Sequence, residues 1–322
     1  MEPSTQIVVT GCAGFIGSHL TDRLLASGYR VIGVDNFDSF YARSVKERNV
    51  SGALSHPNFT FVEADIRDSE WLDNLDADVD AVIHIAAKAG VRPSIEQPAD
   101  YISTNITGTN NLLAWMQRRG IGKMVFASSS SVYGNNQKIP FSETDSVEQP
   151  ISPYAFTKRS CELLTHNYHH LYGMGIVNLR FFTVYGERQR PDLAIHKFVR
   201  MMAADQPIPM FGQGDTSRDY TYVSDTVDGI MAALKYLETH PTTYEIINLG
   251  NHSPVTLQTL VTTLYRLMDK QPQIQHLPMQ PGDVDRTYAD VSRAAELLGY
   301  KPKVSLEEGL SRFVNWYKTT YL

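Results

Sequence analysis

The segment Gly11-Cys12-Ala13-Gly14-Phe15-Ile16-Gly17 follows the apolar run Gln6–Thr10 directly and leads into an amphipathic stretch, Ser18–Ser27. A chain with this order turns sharply from a buried strand into a helix, and glycines let the backbone do so while leaving room for a close neighbour. Such a turn offers backbone N–H groups and a positive helix end to a pyrophosphate. A glycine triplet alone is equally compatible with a plain structural turn. Two features favour binding: the G-x-x-G-x-x-G spacing, and Asp35, which closes the second apolar run eighteen residues after Gly17. An acid there accepts hydrogen bonds from ribose hydroxyls and repels a 2′-phosphate. Neither the turn nor Asn36-Phe37 supplies a base to hold such a phosphate, so the expected cofactor is NAD. Its expected contacts are Gly11, Gly14, Phe15, Ile16, Gly17, Asp35 and Asn36. Asp65 and Ile66, ending the third run, fit an adenine contact, with a helix-capping acid as the plainer reading of Asp65.

The runs Gln6–Thr10, Tyr29–Asp35, Phe59–Asp65, Asp80–Ala86, Lys123–Ser128 and Gly175–Phe181 alternate with helical stretches, among them Pro98–Arg119 and Pro153–Tyr172. Strands apolar throughout suit a sheet buried on both faces, and β-α-β alternation makes it parallel. The expected fold is α/β, a doubly wound Rossmann-like parallel sheet with a smaller interleaved C-terminal substrate domain. After Gly186 proline and glycine break the pattern. Arg218–Val223 and Tyr244–Leu249 still read as strands, one or both returning to the large sheet. The expected division is residues 1–185 and 220–250 for the nucleotide-binding domain, and 186–219 and 251–322 for the substrate domain.

Lysine plus arginine total 29 against 35 acids, a net charge of −6. That balance gives no electrostatic reason to expect nucleic acid or an anionic membrane as partner. No apolar run approaches the ~20 residues needed to cross a bilayer, and the segment before Ile7 is too short for a signal peptide. The expected location is the cytoplasm. Cys12 and Cys161, the only cysteines, read as reduced thiols without a disulfide or a metal-type companion.

Ser152-Pro153-Tyr154-Ala155-Phe156-Thr157-Lys158 has the form of a helix start, with a serine cap and proline in the first turn. Tyr154 and Lys158 lie four apart and share a helix face. Beside a lysine ammonium and a positive nicotinamide ring, the tyrosine phenolate is favoured and can act as a base. Y-x-x-x-K is common by chance on helices. Upstream, however, Ser128-Ser129-Ser130-Ser131 ends a buried strand, where open α/β sheets place ligands.

With these pieces in view, the chain resembles the extended short-chain dehydrogenases, in the nucleotide-sugar group, over nearly its whole length. The resemblance rests on VTGCAGFIGSHL, IHIAAKAGVRPSI, ASSSSVYG, SPYAFTK, LRFFTVYGERQRPD, SRDYTYVSD and PGDVDRTYAD. It implies Tyr154 as base and acid, Lys158 as its partner, and Ser129 as the hydroxyl on the reacting oxygen. It further implies Asn105 as a structural residue near the cofactor, and Arg218 and Asp283 as contacts to the diphosphate and uridine ribose. Dehydratases and decarboxylases of this group carry an acid where Ser130 stands, which leaves epimerisation. Hexose epimerases usually read R-Y-F-N where this chain has Arg180-Phe181-Phe182-Thr183. Thr183 and the segment Gly186–Asp192 are closest to the UDP-glucuronate 4-epimerases. By that resemblance Thr183 and Arg190 hold the sugar carboxylate, with Ser130 and Ser131 nearby. The plainer reading has Arg190 on the diphosphate or covering a loop. Arg92, in Ala89-Gly90-Val91-Arg92, is a candidate diphosphate contact, and Lys88 stands where glutamine is commoner.

The expected activity is thus NAD-dependent 4-epimerisation of UDP-glucuronate to UDP-galacturonate through a transient 4-keto sugar. The alternatives are a 4-epimerase of neutral UDP-hexoses or UDP-N-acetylhexosamines, or a catalytically silent NAD-binding scaffold. Relatives pair the helices Pro98–Arg119 and Pro153–Tyr172 in a dimer, so a homodimer is expected. His166, His169 and His170 share a helix face, but no matching acid or cysteine joins them and no metal is expected. Phe313, Trp316 and Tyr317 read as a core stripe.

Overall fold

The computed structural model describes residues 5–75, 77–278 and 286–322. Among them the strands are β1 (Gln6–Thr10), β2 (Arg30–Asp35), β3 (Phe59–Glu63), β4 (Ala81–His84), β5 (Lys123–Ser129), β6 (Gly175–Phe181), β7 (Thr183–Tyr185), β8 (Ile208–Phe211), β9 (Ser217–Tyr222), β10 (Tyr244–Leu249), β11 (Pro254–Thr256) and β12 (Ile274–Leu277). Seven of these make one sheet in the order β10-β6-β5-β4-β1-β2-β3, with every neighbouring pair parallel. Successive side chains of a strand point to opposite faces. Ile7 and Val9 accordingly join the core that includes Leu20 and Leu24 of helix Phe15–Ala26 and Ile230 and Ala233 of helix Val223–Thr239. Val8 points the other way, into a core with Leu112 and Trp115 of helix Gly108–Arg119 and Cys161 of helix Pro153–Tyr172. Burial on both faces is why these strands read as continuous apolar runs.

The chain passes outward from β1 to β2 and β3, then returns to β4 on the other side of β1. At that switch point the connections part, and a cleft opens at the carboxyl ends of the strands. Of the two later strands, one or both expected to rejoin the sheet, β10 does so. β9 instead pairs with β7 in parallel and with β11 antiparallel, in a separate three-stranded sheet. β8 and β12 form a parallel pair of their own.

One expected helix is broken. Pro98–Arg119 is helical at Pro98–Tyr101, π-helical at Ile102–Thr107 and α-helical again from Gly108. Such π segments are rare and often mark functional sites. Here it carries Asn105, whose amide donates to the Lys88 carbonyl at 3.0 Å and to Thr157 Oγ1 at 2.9 Å, while its Oδ1 accepts from the Lys88 N–H at 2.8 Å. Asn105 therefore ties the segment after β4 to the helix that carries Tyr154. No helix of the described residues is long and apolar enough to cross a membrane.

Candidate active site

The glycine turn forms one wall of a cleft of about 500 Å³. Gly11 has φ +74°, and a Cβ on it would lie 2.8 Å from the Ala86 nitrogen; on Gly17 it would lie 1.9 Å from the Gly11 carbonyl oxygen. Only glycine fits either place, which keeps the turn open beside the N-terminus of helix Phe15–Ala26. Asp35, at the end of β2, accepts from the N–H groups of Phe37 at 2.8 Å and Ala13 at 3.2 Å. Burial pushes its carboxyl above the usual range, opposed by Lys46 and by these two N–H groups. Gly11, Gly14, Phe15, Ile16, Gly17, Asp35, Asn36 and Ile66 all line the cleft, as does Thr104, whose buried hydroxyl has no hydrogen-bond partner among the described residues. A glycine cradle, an acid at the strand end and an orphaned hydroxyl together fit a dinucleotide.

Asp65 does not cap a helix, since the next one, Glu70–Asp73, follows Ser69. It is not among the cleft-lining residues, and its carboxylate accepts from Arg67 at 2.9 and 2.7 Å, from the Arg67 N–H at 2.8 Å and from Asn36 at 2.9 Å. These bonds hold its pKa at about 2. The acid thus braces the loop beside Ile66.

Ser152 caps the helix Pro153–Tyr172, accepting from the Ala155 N–H at 3.1 Å, and Pro153 occupies the first turn. The helix points Tyr154 and Lys158 into the cleft. Opposite them β5 ends at Ser129, whose hydroxyl accepts from the Ser131 N–H at 3.1 Å, donates to Ser131 Oγ at 3.1 Å and favours the Tyr154 phenolate. Lys158 donates to the Ala127 carbonyl at 2.6 Å and lies over the Phe126 ring. Burial lowers its pKa to about 8, with Cys161 and Glu162 acting in the opposite direction. Burial pushes Tyr154 upward, and the groups that oppose it are the Ser129 hydroxyl and the charge of Arg190. Lys158 is turned to the strand backbone, so its ammonium braces β5. Phenol, serine hydroxyl and guanidinium thus converge in one cleft. Together they can hold a sugar oxygen and move its proton.

Thr183, Arg190 and Ser131 line the same cleft, whereas Ser130, one residue away on the turn Ser130–Tyr133, does not. Arg190 donates to Asp192 through Nε at 3.0 Å and Nη2 at 2.7 Å, reaches the Ala89 carbonyl at 3.4 Å, and stacks 5.0 Å from the Phe40 ring centre. Arg92 and Arg218 lie outside this cleft. The Arg92 guanidinium sits 5.4 Å from the Phe211 ring centre, joining helix Val91–Glu96 to β8. Arg218, on β9, donates to the Ser217 carbonyl at 2.9 Å. Asp283 lies outside the described residues.

The family model for GDP-mannose 4,6-dehydratase matches residues 8–313. The chain belongs to that family. GDP-mannose 4,6-dehydratase family members are extended short-chain dehydrogenases, as the sequence resemblance implied. An uncharacterised protein of Methanocaldococcus jannaschii is 48% identical, over 97% of this chain and 95% of its own length. A UDP-glucuronate 4-epimerase of Thermodesulfobacterium geofontis is 43% identical, again over 97% of this chain and 95% of that protein. Among solved structures, UDP-glucuronic acid 4-epimerase from Bacillus cereus, in complex with UDP-glucuronic acid and NAD, superimposes with a TM-score of 0.92 at 38% identity. That match covers 98% of this chain and all of the other.

Against this family frame, several cleft residues escape sequence reasoning. Lys46, on helix Arg43–Leu54, places its ammonium 3.8 Å from Asp35 and is nearly buried. It is the base that a search confined to the turn and Asn36-Phe37 overlooks. Asp38, Phe40 and Tyr41 wall the same side. Beneath the serine turn lies an ion pair with no exposure: Arg180 donates to Glu162 at 2.8 and 2.9 Å, and Ser128 donates to the same carboxylate at 2.6 Å. Breaking such a pair by removing one partner typically costs about 3–5 kcal/mol. Its place, just before Ser129, fixes the end of β5. Both cysteines are free and buried. Among the described residues no three side chains form a metal-binding group, and His166 and His169 pack on Tyr244 instead. Phe313, Trp316 and Tyr317 surround His196.

Proposed function

We propose that this chain is an NAD-dependent 4-epimerase that interconverts UDP-glucuronate and UDP-galacturonate. The observation that carries the reading is the convergence of Tyr154, Ser129 and Arg190 in one cleft, with serine at position 130 where dehydratases of the resembled group carry an acid. The likeness to UDP-glucuronate 4-epimerases in sequence and structure supports it. NAD, when bound, would supply the hydride acceptor and donor that C4 needs, and a positive charge in the cleft. Gly11, Gly14, Phe15, Ile16 and Gly17 would hold its pyrophosphate, and Asp35, Asn36 and Ile66 its adenosine half. Tyr154 takes the proton of the C4 hydroxyl while Ser129 holds the oxygen. The resulting 4-keto sugar turns over, and Tyr154 returns the proton to the same oxygen. Lys158 braces β5 beneath this exchange.

Thr183, Ser131 and Arg190 anchor the C6 carboxylate while the ring turns, with Ser130 beside them, because a planar guanidinium pairs well with a carboxylate. Arg92, Arg218 and Asp283 are assigned to the diphosphate and uridine ribose. In this scheme residues 1–185 and 220–250 carry the cofactor, and 186–219 and 251–322 carry the sugar nucleotide. We also propose a cytoplasmic homodimer. Phe156, Leu163 and Leu171 recur seven or eight residues apart along helix Pro153–Tyr172 and are 45%, 56% and 57% exposed, and Ile102 beside them is 43% exposed.

One observation favours a neutral hexose as substrate. Asp192 already engages two donors of Arg190, so a substrate carboxylate must displace or share it. Steady-state kinetics on UDP-glucuronate, UDP-glucose and UDP-N-acetylglucosamine decide between the readings. A charge-assisted hydrogen bond contributes about 1.5–3 kcal/mol, or roughly 10- to 150-fold. Arg190→Ala should therefore depress turnover of UDP-glucuronate by at least tenfold more than turnover of the neutral sugars. An equal loss on all three would move Arg190 to the shared diphosphate. A wild-type preference for a neutral sugar would favour the hexose reading.

A further inference from the structure

Lys88 is rigid at its backbone and poised at its tip. Asn105 holds both its N–H and its carbonyl, at 2.8 and 3.0 Å. Its ammonium lies 3.1 Å from Asp100 on helix Pro98–Tyr101 and 3.9 Å from Asp38. Asp38 is oriented in turn: its N–H donates to Asn36 Oδ1 at 2.9 Å and its Oδ1 accepts from the Phe40 N–H at 2.9 Å, so Oδ2 is the oxygen nearest Lys88. The sheet order gives this contact its meaning. Lys88 follows β4 and Asp38 follows β2, and these strands flank β1 on its two sides. A link between them crosses the end of β1, where the glycine turn opens. Lys88 and Asp38 both line the cleft. Arg67 nearby feels both Asp38 and Asp100 but is paired with Asp65, and Asp35 also feels the charge of Asp38.

We propose that Lys88 and Asp38 form an ion-pair clasp across the dinucleotide cleft that slows release of the bound cofactor, with Asp100 holding the ammonium at the cleft edge. This rests on the reading of the chain as an epimerase, which restores its NAD at each turnover and gains from keeping it. At 3.9 Å the contact is electrostatic, and both side chains are partly exposed, at 18% and 30%. Ion pairs of this kind have modest, salt-dependent effects.

The test is exchange of bound NAD against radiolabelled NAD in the purified holoenzyme, at low and high salt, for wild type, Lys88→Gln, Asp38→Asn and the double variant. Asparagine at 38 retains an oxygen to accept from the Phe40 N–H. Each single variant should release NAD about 1.5- to 5-fold faster at low salt. The double variant should be no faster than either, and high salt should bring wild type toward the variants. Unchanged release in both single variants would overturn the clasp. So would faster release in Lys88→Gln alone, which would place the ammonium on the cofactor itself. A wild-type protein purified without NAD would overturn the epimerase reading, and the clasp with it.

Discussion

At the scale of single residues, Asp35 and Lys46 form a pair whose halves favour different cofactors. The carboxylate suits ribose hydroxyls, while the ammonium 3.8 Å away would suit a 2′-phosphate once that carboxylate is gone. Asp35→Ser should weaken NAD binding by about 10- to 100-fold and move the NAD-to-NADP preference by at least tenfold toward NADP. Competition between the two nucleotides for the protein measures this, and an unchanged preference would show that other contacts set the choice. Asp35 was legible because its distance from the glycine turn is fixed by one β-α-β unit. Lys46 was not, because it reaches Asp35 only when the following helix folds back over β2.

A second residue carries a consequence for stability. His84 is buried between Thr10 Oγ1 at 2.6 Å and Thr109 Oγ1 at 3.0 Å. Thr109 gives its hydrogen to the Asn105 carbonyl at 2.5 Å, so Nε2 must donate to Thr109 and Nδ1 accept from Thr10. Burial, with a smaller push from Lys158, lowers the His84 pKa to about 3. Above pH ~6.5 the ring is neutral in both the folded and unfolded chain. As pH falls below that value the unfolded chain gains a proton that the folded one does not, and stability drops by up to about 1.4 kcal/mol per unit. Denaturant unfolding of wild type and His84→Gln at pH 7.5, 6 and 5 should show wild type losing about 2 kcal/mol more than the variant across this range. Parallel pH profiles would mean that His84 does not carry this proton linkage.

At the scale of elements, legibility followed locality. Helix Pro153–Tyr172 was readable to the residue because Ser152, Pro153 and Gly173 mark its ends, with Gly173 closing it at φ +67°. The π segment around Asn105 was not, because hydrogen bonds to Lys88 and Thr157, distant in sequence, attend it. β9 and β10 read alike as short strands, and only tertiary pairing sends one to the large sheet and the other away. The apolar stripe along helix Pro153–Tyr172 gives the element its own prediction. Leu163→Glu places a charge in the proposed dimer seam and should convert the protein to monomer at micromolar concentration, with the circular dichroism of the folded chain retained. Sedimentation equilibrium reads the outcome. A variant that stays dimeric would place the subunit contact elsewhere.

At the scale of the whole molecule, the cleft at the β1–β4 switch point brings together a cofactor wall from the first half of the chain and Thr183 and Arg190 from the segment after β6. The glycine turn and the Tyr154–Lys158 helix announced that meeting in sequence. What was hidden was its electrostatics: the phenol is opposed by Arg190 and Ser129, while Lys158 turns to the backbone of β5. The central claim is that one cleft oxidises C4 and gives the same hydride back to its other face. The most direct measurement is NMR of UDP-glucuronate labelled with deuterium at C4, incubated with purified protein and no added cofactor. The account predicts UDP-galacturonate with the deuterium still at C4. A requirement for added NADP, a decarboxylated or 4-keto product as the main species, or deuterium lost to solvent would contradict it.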